Sequence, residues 1–224
     1  MNLPSLQSDD TRERLLAAAG DEFARSGFAH ASVRNICEHA GANVSAVKYH
    51  FGSKQDLYLA VWDIAAAHMV AADPMPTLTG SAEPQDALRH FIRWFMRLVL
   101  TESKNHPWAG QLLAHESVQS TPGAIDVFVK HCAGPICNQL THIVSAIVGD
   151  DLDETTRDNL VFAVVALCVN PKHSRPILTA LGNPPPDTTE GIDRMAGVMA
   201  EFALAGLTGF ADRAGDRTSQ QEID

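Results

Sequence analysis

The sequence predicts an all-α protein with two parts, a small N-terminal domain and a larger helical C-terminal domain. Apolar residues recur at spacings of three and four through most of the 224-residue chain, as they do on the buried face of a helix. Glycine and proline divide these runs into segments of helical length. No segment alternates apolar and polar residues as a half-buried strand does.

The first two predicted helices follow from signals at their ends. Asp10 with Glu13 forms a capping pair that predicts a helix start, and Gly27 predicts the end of this helix. Ser32 is expected to cap a second helix, which Gly41 stops.

Two further short segments complete the N-terminal domain. Asn43 is expected to cap a very short third helix that ends near Phe51. Ser53 with Asp56 predicts a fourth helix that continues to about Ala72. The sequence therefore predicts an N-terminal domain over residues 10–62.

The rest of the chain reads as a helical body after a proline-rich break at 73–84. Helices are predicted at 85–102, 108–118, 123–148, 153–169 and 192–210. The second half of 153–169 is apolar on nearly every side, so it must be buried in this subunit or against another. We expect an effector-binding and dimerising domain over 63–212 and a disordered tail over 213–224.

The segment 32–54 has the organisation of a helix-turn-helix. Two short helices meet at a glycine-containing turn at 41–43, which lets the second helix stand free to enter the major groove. The residues expected to anchor it from beneath are Ala40, Val47 and Phe51. The residues expected to face outward are Val44, Ser45, Lys48 and Tyr49.

The distribution of charge fits this location for the DNA-binding surface. The net charge of −10 argues against a protein that coats nucleic acid nonspecifically. Residues 1–62 carry six Lys or Arg against seven Asp or Glu, whereas 32–54 carries three basic residues against one acidic residue. The acidity lies mostly outside the segment expected to contact DNA.

Residues 11–62 resemble the DNA-binding domain of the TetR family of bacterial regulators. The matching segments are Phe23–Phe28, Ser32–Ile36, Ala40–Gly41 and Tyr49–Lys54. The C-terminal part resembles the CecR-like branch of that family through His173–Ile177, which reads His-Ser-Arg-Pro-Ile. The resemblance implies a homodimeric transcriptional repressor that binds a near-palindromic operator in double-stranded DNA and is released by a small-molecule effector. It implies no cofactor.

Carried over position by position, the resemblance also implies a set of DNA contacts. Lys54, at the start of the fourth helix, is expected to pair with a phosphate near the positive end of that helix dipole. The full set expected at the DNA is Ser32, Arg34, Asn43, Val44, Ser45, Lys48, Tyr49, His50 and Lys54.

Aromatic residues and one histidine of the body are candidates for lining an effector cavity, with ordinary core packing as the alternative. These residues are Trp94, Phe95, Trp108, His115 and Phe128. A stripe of Arg89, Arg93 and Arg97 at four-residue spacing predicts a solvated face or, alternatively, a clamp for an acidic effector.

Other functional classes find little support. No Glu-x-x-His tetrad, Gly-x-Ser-x-Gly motif or phosphate-binding loop is present, so no catalytic function is predicted. His131, Cys132, Cys137 and His142 have spacings that fan around a helix, so no metal site is predicted, and the four cysteines are expected to be buried thiols.

Two alternatives to a ligand-controlled regulator remain open. One is a small-molecule-binding protein that has lost DNA binding, and the other is a regulator that senses a metal or an oxidant through its cysteines. No secretory signal is visible, and the apolar run at 161–169 is shorter than the roughly 20 residues that span a bilayer. A cytoplasmic location is therefore expected.

Overall fold

The computed structural model describes residues 4–71, 74–77, 83–101, 108–149 and 152–221. For 4–9, 68–71, 117 and 214–221 it describes the backbone only. Within these ranges there are eleven α-helices, one π-helical segment and no β-strand. The helices are α1 Pro4–His30, α2 Val33–Ala40, α3 Val44–His50, α4 Lys54–Ala71, α5 Pro84–Leu100, α6 Ala109–Val118, α7 Ala124–Phe128, α8 Gly134–Val148, α9 Glu154–His173, α10 Arg175–Ala180 and α11 Thr189–Gln221, and the π-helical segment is Val129–Ala133. No helix in the described ranges is both long and apolar enough to cross a membrane.

The described residues form two compact units. The first unit contains α1 to α4, α6, α7 and the π-helical segment, and α1 and α4 lie at its centre. Its core includes Phe23 and Tyr58, whose ring centroids are 4.7 Å apart, and the fully buried Trp62. The helices α2 and α3 pack on α1, so the predicted helix-turn-helix is part of the core of the first unit.

The second unit contains α5 and α8 to α11. The helices α5, α8, α9 and α11 pack together around buried apolar side chains, and α10 packs on α9. The largest of the fully buried side chains in this unit are Leu88, Phe91, Ile92, Met96 and Leu140.

These compact units do not coincide with the predicted boundary at residue 62. The helices α6 and α7 belong to the first unit, because Trp108 packs against Gly20 of α1 and the Glu116 carboxylate accepts a hydrogen bond from Tyr58 of α4. Such contacts join residues far apart in the chain, and helical periodicity does not reveal them.

The predicted start of the first helix is wrong, and one predicted helix differs inside although its ends lie where they were predicted. The first helix begins at Pro4 instead of Asp10, whose side chain lies inside the helix and pairs with Arg14. The predicted helix at 123–148 contains the π-helical segment, which ends two residues before Pro135; this proline lacks an N–H and cannot donate to the carbonyl four residues earlier. The short helix α10 was not predicted.

The end of the chain also differs from its prediction. The predicted disordered tail at 213–224 is helical as far as Gln221, and residues 222–224 lie outside the described ranges. No proline interrupts this stretch, so the last helix continues beyond its apolar part.

The apolar helix predicted at 153–169 is only partly covered within its own unit. In α9, Val164 and Cys168 are buried, whereas Phe162 is 71% exposed. The neighbouring α11 likewise exposes Val198 and Phe202, each at 68%. The second unit therefore presents large apolar side chains to solvent on two helices that pack against each other.

Candidate nucleic-acid interface

The start of α2 is fixed by two hydrogen bonds at Ser32. The Ser32 hydroxyl oxygen accepts from the Asn35 N–H at 3.3 Å, and the Ser32 N–H donates to Oε1 of Glu22 at 3.0 Å. Glu22 is almost completely buried and also pairs with Arg25. The Ser32 amide, followed by Arg25, lowers the pKa of Glu22, so a buried carboxylate anchors the corner between α1 and α2.

The turn between α2 and α3 favours a glycine. Gly41 has a φ of 59°, in the left-handed region, and its N–H donates back to the carbonyl of Glu38 at 3.2 Å. Arg14 of α1 donates through Nε to the carbonyl of Ala40 at 3.0 Å, which satisfies one of the last carbonyls of α2. The predicted helix-turn-helix is confirmed in its turn and in its two helices.

The helix α3 begins at the predicted cap and carries one buried anchor. The Asn43 Oδ1 accepts from the Ser45 N–H at 3.1 Å and from the Ser45 hydroxyl at 3.2 Å. Val47 is 4% exposed and belongs to the core of the first unit, with Phe51 partly buried against it. The helix is thus capped at one end and fixed from beneath.

The opposite side of α3 is open to solvent. Tyr49 is 80% exposed and Val44 is 52% exposed, and Ser45 and Lys48 are also exposed. Two large side chains, Val44 and Tyr49, are thus exposed on the face of α3 opposite the buried Val47. This face combines an apolar group, a hydroxyl, an ammonium and a phenol, the kinds of group that read base edges and phosphates in a major groove.

The other expected contact residues differ in the interactions that they already make. Arg34 extends from the first turn of α2 and forms an exposed ion pair with Glu38 at 3.0 Å. His50 is half-buried, with its ring centroid 4.9 Å from that of Tyr49. Ser32 and Asn43 use their side-chain oxygens to cap α2 and α3, respectively, so each also fixes the start of a helix.

Lys54 lies at the first position of α4, as predicted. Its Nζ lies 4.8 Å from the ring centroid of Phe28 and 3.5 Å from the carbonyl oxygen of Ala29. Burial lowers the pKa of Lys54, and the Glu22 carboxylate partly offsets this effect. The ammonium is therefore placed by the last residues of α1, which follow a break in the helix at Gly27 (φ 69°).

Sequence reasoning missed one cation at this surface. Arg12 of α1 is exposed, and its guanidinium carbon lies 5.4 Å from the ring centroid of Phe51, at the end of α3. The packing of α1 under α3 brings the two together across 39 positions of sequence. The only signal in the sequence is that an arginine occupies an outward position of the first amphipathic helix.

A buried polar network ties α4 to the end of α6. The Tyr58 hydroxyl donates to Oε1 of Glu116 at 2.6 Å, and the Thr121 N–H donates to Oε2 at 2.6 Å. Burial, followed by the hydrogen bond with Glu116, raises the pKa of Tyr58 far above its usual range. The network makes α6 and the turn after it part of the same compact unit as α3.

The predicted effector residues occur in both units. Trp94 and Phe95 are buried in the second unit, with their rings stacked at a centroid distance of 6.2 Å. Phe128 packs edge-on against Trp62 in the first unit, where Trp108 is also buried. That all five predicted effector residues line one effector pocket therefore stays a prediction.

Of the five residues predicted to line an effector cavity, His115 borders a cleft in the part of the chain that the structure describes. This cleft of about 430 Å³ lies in the first unit between the corner at 26–30 and the turn at 119–122. The His115 ring nitrogen Nε2 is 2.8 Å from the carbonyl oxygen of Ala24, so the imidazole is engaged with α1. The buried Glu116 also borders the cleft.

The cysteines have the surroundings expected of structural thiols. Cys37, Cys132 and Cys168 are buried and Cys137 is partly buried. Burial raises the pKa of the Cys168 thiol to about 12 and raises those of Cys37 and Cys137. Within the described ranges, no group of three or more potential ligands could hold a metal ion.

Two protein families match the chain, and together they cover most of it. Residues 15–61 match the family described as bacterial regulatory proteins, tetR family. Residues 84–207 match the family described as the C-terminal domain of the HTH-type transcriptional dual regulator CecR. The first match contains α2, α3 and their turn, and the second contains the whole of α5 to α10.

Individual proteins give the same picture. The HTH-type transcriptional dual regulator CecR of Shigella flexneri is 28% identical over 167 residues, covering 69% of this chain and 73% of the relative. The HTH-type transcriptional repressor NicS of Pseudomonas putida is 30% identical over 112 residues, half of each chain. The solved structure of the flavonoid-responsive regulator FrrA has a TM-score of 0.61 and 19% identity, covering 88% of this chain and 96% of that one.

Proposed function

The chain is a transcriptional regulator of the TetR family with a CecR-type C-terminal domain, and we propose that it represses transcription as a homodimer released from its operator by a small molecule. The observation that carries the DNA-binding part is the exposed face of α3. Val44, Ser45, Lys48 and Tyr49 remain in solvent on a helix whose other side is anchored by the buried Val47.

In this proposal the exposed α3 residues read base edges, and the surrounding residues set the position of the helix on the duplex. Asn43 lies at the start of α3, His50 and Lys54 lie at or just after its end, and Ser32 and Arg34 lie at the start of α2. Arg12 adds a cation that the sequence did not suggest. Phosphate contacts of this kind fix register and orientation, whereas base contacts supply specificity.

Dimerisation is supported by the uncovered apolar face of the second unit. Phe162 of α9 and Val198 and Phe202 of α11 are each about two-thirds exposed or more. Covering these side chains with the same face of a second copy is favourable, and a two-fold axis makes such an interface self-complementary. For a two-fold symmetric dimer we expect a near-palindromic operator. Because that target is genomic DNA, the proposal includes a cytoplasmic location.

Control by a small molecule is supported by the family and by the CecR-type domain. NicS is named a repressor and FrrA is named flavonoid-responsive, so the proposal extends both properties to this chain. The raised pKa values of Cys37, Cys137 and Cys168 favour a small-molecule effector over an oxidant, because a reactive thiol needs a lowered pKa.

The test begins with DNA selection and a mobility-shift assay. The full-length protein is used to select sequences from a random duplex pool and is assayed on the DNA upstream of its own gene. We expect a near-palindromic site with half-sites about one helical turn apart. Selection of no consensus would contradict the proposal and favour a binding protein without DNA-binding activity.

The second part of the test measures control. A thermal-shift screen of small molecules is followed by measurement of the affinity of each hit with and without operator. Reciprocal coupling of about 1–3 kcal/mol should weaken operator binding and effector binding by the same factor of roughly 5 to 150. Equal ligand affinities with and without operator would remove the effector from the proposal.

A further inference from the structure

The helices α5 and α11 of the second unit are joined by two ion pairs. Arg89 Nε donates to Oε1 of Glu201 at 2.8 Å, and Arg97 Nε donates to Oδ1 of Asp193 at 2.7 Å. The arginine number rises by eight while the acid number falls by eight, so the two helices run antiparallel. The predicted arginine stripe is therefore one side of a ladder between helices.

The middle position of this ladder has an arginine but no acid. Arg93 lies halfway between Arg89 and Arg97, about 6 Å from each along the helix axis. The position halfway between Glu201 and Asp193 is Gly197, where an added Cβ has no heavy-atom neighbour within 4 Å. Arg93 is half-buried, and its guanidinium has no hydrogen bond or ion pair within the described part of the chain.

The charges nearby leave this position locally positive. The Asp193 carboxylate accepts hydrogen bonds from two guanidinium nitrogens of Arg97, which lower its pKa, with a smaller effect from Arg93. Arg89 is shared by Glu201 and Asp86, but Asp86 is seven residues, or roughly 10 Å, along α5 from Arg93. Salt screens exposed charges over about that distance.

We propose that Arg93 and the open position at Gly197 form a binding site for a small carboxylate. A guanidinium binds a planar carboxylate through two parallel hydrogen bonds, as Arg97 already does with Asp193. A single negative charge balances Arg93, whereas a phosphate dianion adds repulsion from the carboxylates of Asp193 and Glu201. The bound carboxylate completes the ladder and ties α5 to α11 at a third point.

The first test compares anions by thermal unfolding of the full-length protein. About 20 mM sodium butyrate should raise Tm by roughly 4–7 °C over sodium chloride of equal ionic strength, as expected for about millimolar affinity. Inorganic phosphate at equal ionic strength should raise it less. No rise with butyrate, or an equal rise with phosphate, would overturn the proposal.

Two variants locate the effect. Arg93→Gln should abolish the rise caused by butyrate, whereas Arg175→Gln, which removes the same charge from α10, should retain it. Retention of the full rise in Arg93→Gln would mean that butyrate binds elsewhere. The assay needs no DNA, so its failure leaves the proposed function standing.

A third comparison supplies the missing carboxylate within the chain. Gly197→Asp and the matched control Gly197→Asn both add a side chain to the helix, but only aspartate provides the charge. We expect Gly197→Asp to have the higher Tm by about 1–3 °C and to lose its response to butyrate. The difference between the two variants should vanish when Arg93→Gln is also present. Equal Tm values for the two variants in the otherwise unchanged chain would contradict the ladder geometry.

Discussion

The side chains around α3 differ in what already holds them. The side-chain oxygens of Ser32 and Asn43 accept hydrogen bonds from backbone amides, so changing them disturbs the start of a helix as well as any DNA contact. Ser45 also bonds Asn43, whereas Lys48 and Tyr49 extend into solvent. A loss of operator affinity is therefore easiest to interpret at Lys48 and Tyr49.

Lys54 provides a test of backbone contact. We expect Lys54→Ala to weaken binding to all duplexes about equally and to lower the salt dependence by roughly one unit, as loss of one phosphate contact does. Affinities measured across a series of salt concentrations check this. An unchanged slope would mean that the ammonium stays with Phe28 and Ala29 when DNA is bound.

Glu116 provides a test of the buried network. Glu116→Ala leaves the Tyr58 hydroxyl and the Thr121 amide without their acceptor, which should lower the free energy of unfolding by about 2–4 kcal/mol. Glu116→Gln retains one acceptor oxygen and should lose less. Chemical denaturation of the three proteins gives the values, and an Ala variant as stable as wild type would show that the network contributes nothing.

Among the elements, the short helices were the most predictable because their ends are marked locally. Ser32, Gly41 and Asn43 are the observed cap, turn and cap, since each acts on amides or carbonyls only a few residues away. The same reasoning failed at Asp10, where a capping pair lies inside a longer helix. A capping signature shows where a helix can start, but the preceding residues decide whether it already has.

The remaining elements depended on contacts that no local signal carries. The predicted effector aromatics were identified from the sequence of their own helices. In the structure Trp108 packs against Gly20 and Phe128 packs against Trp62, and both of these partners are distant in the sequence. The ladder at Arg89 and Arg97 likewise depends on acids about a hundred residues away. Periodicity identified the buried face of each helix but not the partner of that face.

The turn between α2 and α3 can be tested as an element. Gly41→Ala places a Cβ on a residue with positive φ, which should cost about 1–2 kcal/mol of stability although the space around it is open. Gly41→Asn should lose less, because asparagine tolerates this conformation. Thermal denaturation of both variants checks the order, and an Ala variant at least as stable as the Asn variant would contradict it.

At the scale of the whole molecule, the exposed faces of α9 and α11 predict assembly. Val198→Asp and Phe202→Asp should each give monomers, since an unpaired charge buried in an apolar interface costs several kcal/mol. Val118→Asp in the first unit is the matched control, because Val118 is 90% exposed and lies outside this face. Sedimentation measures the result, and dimers in both test variants would place the interface elsewhere.

The central claim is that the exposed face of α3 reads a specific DNA sequence. Fluorescence anisotropy at one salt concentration gives the affinity of the protein for its selected operator and for a scrambled duplex. We expect a ratio of at least about 10³ for the wild type. Lys48→Ala should reduce this ratio roughly tenfold or more, because it removes a side chain within reach of base edges. A wild-type ratio near one, or an unchanged ratio in Lys48→Ala, would contradict the claim.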